Sequence, residues 1–269
     1  ATYTVQIPPA SGEAITANNA KTFSLDITDD RLPVLYVEGS PRTEYRFLRR
    51  AMFRDHTFRV VGVLRLAKDR FYVQGASRED RYLEGGFPTT AKQLYRFETV
   101  ILGDIEASYF TPQQLELLEK FVSSRGGGLM MLGGVNSFGL GGYEGTPVGD
   151  ALPVQISSSD PPYSDERFAA KLSPGGADHP VMRLSNDPQQ NKNLWDTMPK
   201  LIGITPVEGV KPGATMLIED KEKGRPVLAV QKYGAGRVAA FTSGGSWYWQ
   251  VSMPAANEFH ERFWKQLIR

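Results

Sequence analysis

Few side chains in this sequence have the chemistry of a nucleophile or a general base. There is no cysteine, and the histidines are His56, His179 and His260. The segment GGVNSF at 133–138 follows an apolar run, and such a break often presents a nucleophile or cradles a ligand. Ser137 with His179 as its base would make a hydrolase, but GGVNSFG does not fit the G-x-S-x-G pattern. A turn-capping Ser137 and a loop-holding His179 are therefore favoured.

Carboxylates stand at the ends of two other apolar runs. Glu38 ends one run, and Asp104 and Glu106 end another. Their oxygens are of the kind that binds a divalent cation, yet they lack a recognisable ligand spacing. Pairing with Arg42 or capping of a helix N-terminus is favoured instead. The histidines also lack a paired spacing such as HxxxH, so the sequence predicts no metal site and no cofactor.

The elements that position these groups alternate between strands and helices. Apolar runs predict strands at 32–39, 58–64, 99–105 and 128–134. Helical spacing of apolar residues separates the first strand from the second, and the third from the fourth. The predicted helical stripes comprise Tyr45, Leu48 and Met52 in the first helix and Leu115, Leu118 and Val122 in the second. This order predicts an α/β fold with an open parallel sheet and helices on both faces.

Ligands of such a sheet bind outside the carboxyl ends of its strands. The loops Glu38–Arg42, Asp104–Glu106 and Gly133–Phe138 should meet there. The predicted crevice consists of Glu38, Ser40, Arg42, Asp104, Glu106, Gly133, Gly134, Asn136, Ser137 and Phe138.

Residues that commonly begin helices, and the lengths of the connections, define the predicted elements further. Ser40 with Pro41, and Thr111 with Pro112, read as helix starts. Residues 67–98 are too long for a plain connection and predict a short helix or a flap, and 151–210 are predicted to be mostly loop.

Towards the carboxyl end of the chain the sequence predicts a change of pattern. The runs ATMLIED, PVLAVQKYG and GRVAAFTSG predict consecutive antiparallel strands, and a helix should run from about Pro254 to Arg269. Trp247 and Trp249 are read as sharing one face of an extended segment that covers the core, with Tyr248 pointing elsewhere.

Residues 1–31 differ from the rest. TYTVQIPP and KTFSLDIT alternate apolar and polar residues, as half-buried strands do. Two strands alone are marginal in water. We interpret 1–31 as the last strands of a truncated β-sandwich and 32–269 as the main domain, with an edge hairpin on that domain as the alternative.

Composition excludes several classes of function. The net charge is +1, so no general affinity for nucleic acid follows. No apolar run approaches about 18 residues, so this sequence predicts no direct insertion into a membrane.

The run VLYVEGSPRTEYRFLRRAM, then VILGDI, then GGGLMMLGGVNSFGLGGYEGTPVGDALPV resembles a class I glutamine amidotransferase-like domain. It is similar to the module found in large bacterial membrane proteins that often carry von Willebrand A and immunoglobulin-like regions. The tail, with GRVAAFTSGGSWYWQ and FHERFWKQLIR, extends the resemblance over about 32–269. The resemblance implies a flavodoxin-like sheet and an envelope location within a membrane-anchored protein.

The resemblance also implies a cysteine at the turn after the fourth strand and a late HxE motif in any active member. This chain has neither: Gly133, Gly134, Val135 and Asn136 occupy the turn. The thiolate supplies the nucleophile of that reaction, and glycine does not replace it. We therefore expect a non-catalytic module that binds a ligand, a protein partner or the upstream domain of the same chain. A hydrolase using Ser137 and His179, or a bound metal, is the alternative.

Overall fold

The computed structural model describes residues 2–13, 16–24, 31–254 and 258–269. The chain divides into two compact units, Ala1–Arg31 and Leu32–Arg269. No helix of the described residues is long and apolar enough to cross a bilayer.

The first unit contains a two-stranded antiparallel ribbon. Strands β1 (Thr2–Gln6) and β2 (Ala20–Ser24) pair in register, with Tyr3 opposite Phe23. The rings of Tyr3 and Phe23 stack with centroids 6.1 Å apart, and both strands are exposed along their described length. The sandwich interpretation stays a prediction, and Leu25 and Ile27 of its second strand lie outside the described residues.

The second unit is a layered α/β structure. Its strands β3 to β15 are Leu32–Glu38, Phe58–Ala67, Arg70–Gln74, Thr99–Leu102, Gly128–Leu132, Val154–Gln155, Ser164–Phe168, Ala170–Leu172, Leu201–Ile204, Gly209–Val210, Thr215–Asp220, Pro226–Tyr233 and Gly236–Phe241. Its helices α1 to α8 are Thr43–Phe53, Ala91–Leu94, Pro112–Ser123, Pro147–Ala151, Pro174–Ala177, Pro188–Asp196, Trp247–Ser252 and Phe259–Ile268. Short 3-10 helices lie at Arg78–Gly85, Ala107–Tyr109 and Pro180–Met182.

Within the described residues, nine of these strands form one sheet in the order β10-β13-β14-β15-β7-β6-β3-β4-β5. The neighbours from β15 through β4 are parallel, and the pairs outside them are antiparallel. The predicted parallel sheet and antiparallel carboxyl-terminal strands are confirmed. The predicted turn in KYGAGR is also confirmed, and Gly234 adopts the left-handed conformation that a tight hairpin turn requires.

Alternate side chains of each central strand enter two separate cores. Val34 and Tyr36 of β3 face the first core, whereas Leu35 and Val37 face the second. Helices α1, α6, α7 and α8 cover the first core, and α2, α3 and α4 cover the second. Helices therefore lie on both faces of the sheet, as predicted.

Two expectations about helix starts have different outcomes. Thr111 caps α3 through its side chain and Pro112 is the first helical residue, as predicted. Ser40 does not cap α1, because the helix begins at Thr43 with an extended Arg42 before it. The hydroxyl of Ser40 donates to Asp104 instead, at 3.2 Å, so a tertiary contact takes the place of the local cap.

Three other segments differ from their sequence-based expectations. The stretch 151–210 contains several short strands and helices, and polar side chains such as Ser173 and Asp187 cap them rather than mark loop. Trp247, Tyr248 and Trp249 start helix α7, so the extended-segment interpretation is wrong, although Trp249 is buried. The last helix begins at Phe259 rather than near Pro254. Residues 67–98 contain β5 and α2, in line with a short helix.

The first core depends on a cluster of aromatic rings around Phe263. This fully buried ring lies within 5.1–6.1 Å, centroid to centroid, of the rings of Trp195, Phe241, Trp249 and Trp264. We expect Phe263→Ala to lower the free energy of unfolding by about 3–5 kcal/mol, since the cavity is enclosed by rigid rings. Urea unfolding followed by circular dichroism measures the loss.

Phe53→Ala is the matched control, because Phe53 is 65% exposed on α1. We expect this control to change the free energy of unfolding by no more than about 0.5 kcal/mol. Equal losses in the two variants would contradict the assignment of the ring cluster to the core.

Candidate functional site

The three predicted loops meet at the carboxyl ends of the parallel strands. β3, β6 and β7 are neighbours in the sheet and run in the same direction. Their following loops are bonded to each other: Asp104 N–H donates to Glu38 Oε1 at 2.8 Å, and Asn136 N–H donates to Asp104 Oδ1 at 2.6 Å. The loops form one connected layer over the edge of the sheet.

An ion pair between a fully buried carboxylate and a partly buried guanidinium lies at the centre of this layer. Arg42 Nε donates to Glu38 Oε1 at 3.1 Å, and Arg42 Nη1 donates to the carbonyl of Gly133. Tyr36 O–H donates to the other carboxylate oxygen of Glu38 at 3.0 Å. Glu38 is completely buried, so these donors replace the water that a carboxylate otherwise binds.

Burial and charge oppose each other in this pair. Burial raises the pKa of Glu38, and the nearby charge of Arg42 opposes the rise. Burial also acts to lower the pKa of Arg42, but the charges of Glu38, Tyr36, Asp104 and Glu44 together outweigh it and hold that pKa above its ordinary value. The pKa of Tyr36 is well above its ordinary value, first through burial and then through the negative charge of Glu38. The charge of Arg42 therefore favours the ionised form of Glu38, against the effect of burial.

Asp104 joins two of the loops. One oxygen accepts from Ser40 Oγ at 3.2 Å, and the other accepts from the backbone of Asn136. Asp104 is also nearly buried. Its carboxylate is therefore occupied by the protein itself rather than presented to solvent.

Gly133 and Gly134 occupy the turn where an amidotransferase would need a side chain. A Cβ on Gly133 would lie 1.9 Å from the carbonyl oxygen of Thr242, and a Cβ on Gly134 would lie 2.4 Å from Asp104 Oδ1. Real Cβ atoms essentially never come within 3.0 Å of such atoms. At Gly133 the neighbouring backbone leaves no room for a side chain, and at Gly134 a side chain would require Asp104 to move.

Ser137 and Phe138 are both buried within the protein. Ser137 is buried, and its hydroxyl donates to the carbonyl of Gly103 at 3.3 Å. Phe138 has a φ of 57°, in the left-handed region that non-glycine residues rarely adopt, and its ring enters the second core. Both side chains hold the loop in place.

The structure does not bring His179 to Ser137. His179 Nδ1 accepts from the backbone of Val181 at 3.3 Å, and its residue lines a cavity beside Gly128, the first residue of β7. Ser137 lies beyond the other end of that strand. Five residues of β7 separate the two ends, which corresponds to about 13 Å or more at roughly 3.3 Å per residue. This separation removes the base that a serine hydrolase needs.

Glu106 also turns away from the other carboxylates. It forms a two-bond ion pair with Arg65 at 2.6 and 2.7 Å. The bonded guanidinium of Arg65 lowers the pKa of Glu106. Among the described residues, no group of three or more His, Asp or Glu side chains is placed to hold a metal ion.

Sequence reasoning missed several groups at this edge. Thr205 Oγ1 donates to the carbonyl of Gly134 at 3.0 Å and accepts from its N–H at 2.9 Å, which fixes the glycine turn. The half-buried Tyr163 lies near Arg42, and burial raises the pKa of Tyr163 to about 12. Both come from 151–210, which carries no periodic pattern. Arg65 was identifiable only as a charge within an apolar strand.

A buried serine, histidine and glutamate meet elsewhere in the first core. Ser246 Oγ lies 3.1 Å from His260 Nε2 and donates to Glu44. In a catalytic triad the acid is hydrogen-bonded to the histidine, whereas here Glu44 is hydrogen-bonded to the serine. Ser246 and Glu44 are 0% exposed, and burial lowers the pKa of His260 to about 4. These residues join α1 to α7 and α8 and do not form an active site.

A family model described as "Putative glutamine amidotransferase" matches residues 79–269. The solved structure of Cytoplasmic Protein STM1381 from Salmonella typhimurium LT2 is similar, with 19% identity, a TM-score of 0.65 and coverage of 88% of this chain and 98% of that chain. Cytoplasmic Protein STM3548 from Salmonella typhimurium has 18% identity, a TM-score of 0.64 and coverage of 87% and 97%. No curated protein matches the sequence. The comparisons give no support for von Willebrand A or immunoglobulin-like regions.

The buried pair of Glu38 and Arg42 predicts a pH-dependent defect. We expect Arg42→Met to lower the free energy of unfolding by about 3 kcal/mol near neutral pH, because it leaves Glu38 buried without its counter-charge. The pKa of Glu38 in the folded variant then rises further above its unfolded value. Folding takes up a proton, so the variant gains stability as the pH falls, and its deficit is smaller near about pH 5 than near about pH 8.

Urea unfolding at the two pH values measures this effect. Arg50→Met is the matched control, since Arg50 is exposed on α1, the helix that follows Arg42, and has no side-chain partner among the described residues. The double variant E38Q/R42M should recover most of the loss. A deficit of R42M that does not change with pH would argue against a buried, ionised Glu38.

Proposed function

The chain belongs to the glutamine amidotransferase-like family whose model spans residues 79–269, and we propose that it is a non-catalytic member that acts by binding. The packing at Gly133 and Gly134 carries this proposal. The turn that holds the nucleophile in an active enzyme is closed by Thr242 and Asp104. The fold retains the architecture of the family without the reactive group.

No other described group supplies the missing chemistry. Hydrolysis of a carboxamide needs a nucleophile, a base that activates it and donors for the oxyanion. The sequence has no cysteine, and Ser137 is buried and remote from His179. The hydrolase alternative therefore lacks geometric support. A metal-dependent version has none either, since Glu38 and Glu106 are paired with different arginines.

The surface above the closed turn is the site we propose for binding. Val135 is 60% exposed at the tip of the loop after β7, and Leu140 is also exposed in the same loop. The bonds of Gly134 and Asn136 to Thr205 and Asp104 fix the base of the loop. Exposed apolar side chains on a fixed loop are a common feature of protein interfaces. The proposed partner is a protein or a neighbouring domain of the same polypeptide.

The cellular location of this interaction is a separate part of the proposal. The resemblance to modules of bacterial membrane proteins favours a partner at the cell envelope. The two Salmonella proteins with the same fold are named cytoplasmic, which describes those proteins. Fractionation of host cells, with detection of the full-length gene product, distinguishes the two locations.

We expect purified protein to release no ammonia from glutamine above the level of a buffer blank. A coupled glutamate dehydrogenase assay measures this, with an active amidotransferase as the positive control. Turnover that disappears in Ser137→Ala or His179→Ala would contradict the proposal. The absence of turnover in wild-type protein and in both variants supports it.

A photo-crosslinking side chain tests the binding surface directly. We expect benzoylphenylalanine at position 135 to yield a discrete crosslinked species in living host cells, and Leu140→Asp to abolish it. The matched control is position 251, because Val251 is 51% exposed on helix α7 and does not belong to the loop after β7. Equal crosslinking at 135 and 251, or none at 135, would contradict this surface.

A further inference from the structure

The amino ends of the parallel strands contain a cavity that the proposed function does not use. It has a volume of about 690 Å³, within the roughly 300–1,000 Å³ typical of small-molecule sites. The first residues of β3, β6 and β7, namely Leu32, Thr99 and Gly128, line it. It therefore lies at the end of the sheet opposite the closed turn.

Apolar residues form the floor and one wall of this amino-end cavity. Met130, Val230 and Ala239 form its floor, and they lie side by side on β7, β14 and β15 on the face of the first core. Val181 and Leu267 line the wall formed by the 3-10 helix and the end of α8. Gly128 lies two residues before Met130 and adds no side chain beside Arg237, its partner on β15. This apolar lining suits a hydrocarbon group.

A pair of like charges stands at the mouth of this cavity. Lys232 and Arg237 are direct cross-strand partners on β14 and β15, and both line the cavity. Val230 of the floor lies two residues before Lys232, and Ala239 lies two residues after Arg237. Since side chains two residues apart share a face, both cations project from the same face of the sheet as the floor. Like charges directly opposite each other destabilise an antiparallel pair.

No carboxylate in the described part of the chain pairs with either cation. Among the described residues, neither Lys232 nor Arg237 has an ion pair or a side-chain hydrogen bond, and both are exposed. Glu98 lines the same cavity, but Arg125 holds it with two bonds at 2.7 and 2.9 Å. Burial lowers the pKa of His179, so its imidazole is neutral at neutral pH and adds no charge. The mouth therefore has an excess of positive charge that an anion would neutralise.

We propose that this cavity binds an amphipathic carboxylate, with its hydrocarbon tail on the apolar floor and its head between Lys232 and Arg237. A bound carboxylate converts the repulsion between the two cations into two charge-assisted contacts. The tail removes the partly exposed side chains of Val181, Val230 and Leu267 from water. A simple anion without a tail gains only the exposed charge contacts, which are weak in water.

Isothermal titration with decanoate, below its micelle concentration, tests the proposal on the whole chain. We expect decanoate to bind at a single site. Acetate, which has the head without the tail, and decyltrimethylammonium, which has the tail with the opposite charge, should not bind detectably. Absence of decanoate binding, or equal binding of the cationic detergent, would overturn the proposal.

Charge reversal identifies the site. We expect K232E/R237E to weaken decanoate binding by about tenfold or more, the loss of two contacts between charged groups. K68E/R70E is the matched control: it makes the same change in net charge at exposed cations near the turn between β4 and β5. Equal weakening by both double variants would assign the effect to net charge and reject the site.

Substitutions that fill the cavity test whether the hydrocarbon tail of decanoate binds there. Val230→Trp should abolish decanoate binding while leaving the far-ultraviolet circular dichroism unchanged. Thr215 lines the same cavity and is exposed at the start of β13, so Thr215→Trp provides a second blocking variant if the first does not fold. Decanoate affinity unchanged in a folded blocking variant would place the ligand elsewhere and refute the proposal.

Discussion

The carboxyl edge of the sheet depends on one buried ion pair. Glu38 ends β3, and Arg42 lies just before α1. The guanidinium of Arg42 donates both to Glu38 and to the carbonyl of Gly133, the residue after β7. A buried carboxylate is tolerated only where opposite charge and hydrogen bonds replace water. Arg42, Tyr36 and the backbone of Asp104 together meet that requirement. The loops are therefore held together by the need to compensate one charge.

The sequence allowed the sheet to be predicted more fully than the site. Uninterrupted apolar runs identify β3, β6 and β7, because strands buried on both faces have no polar alternation. Topology then brings Glu38, Asp104 and Gly133 to one edge. The outcome at that edge was not predictable, since Thr205 and Tyr163 come from short elements without periodicity. Helix α7 was missed for a related reason: Trp249 is buried by tertiary contacts that override its local pattern.

Glycine explains why the closed turn resembles a catalytic one in the sequence. A glycine pair after an apolar strand allows the backbone to approach a ligand closely, and it equally allows approach to another part of the protein. Here the close neighbours of Gly133 and Gly134 are Thr242 and Asp104. The same residue type therefore serves a different purpose, and only the identity of the neighbouring atoms distinguishes the two. The strands beside this turn are core strands, so the fold does not depend on a nucleophile at the turn.

The two ends of the parallel sheet differ in how their charges are compensated. At the carboxyl end, Arg42 and Arg65 each contact a carboxylate, although Nη2 of Arg42 is buried without a hydrogen-bond partner. At the amino end, Lys232 and Arg237 face each other beside an apolar cavity without a carboxylate partner among the described residues. A protein gains most from a ligand where its own groups leave charge and apolar surface uncompensated. On that criterion, the amino end, where two unpaired cations lie beside apolar surface, is the end better suited to an amphipathic anion.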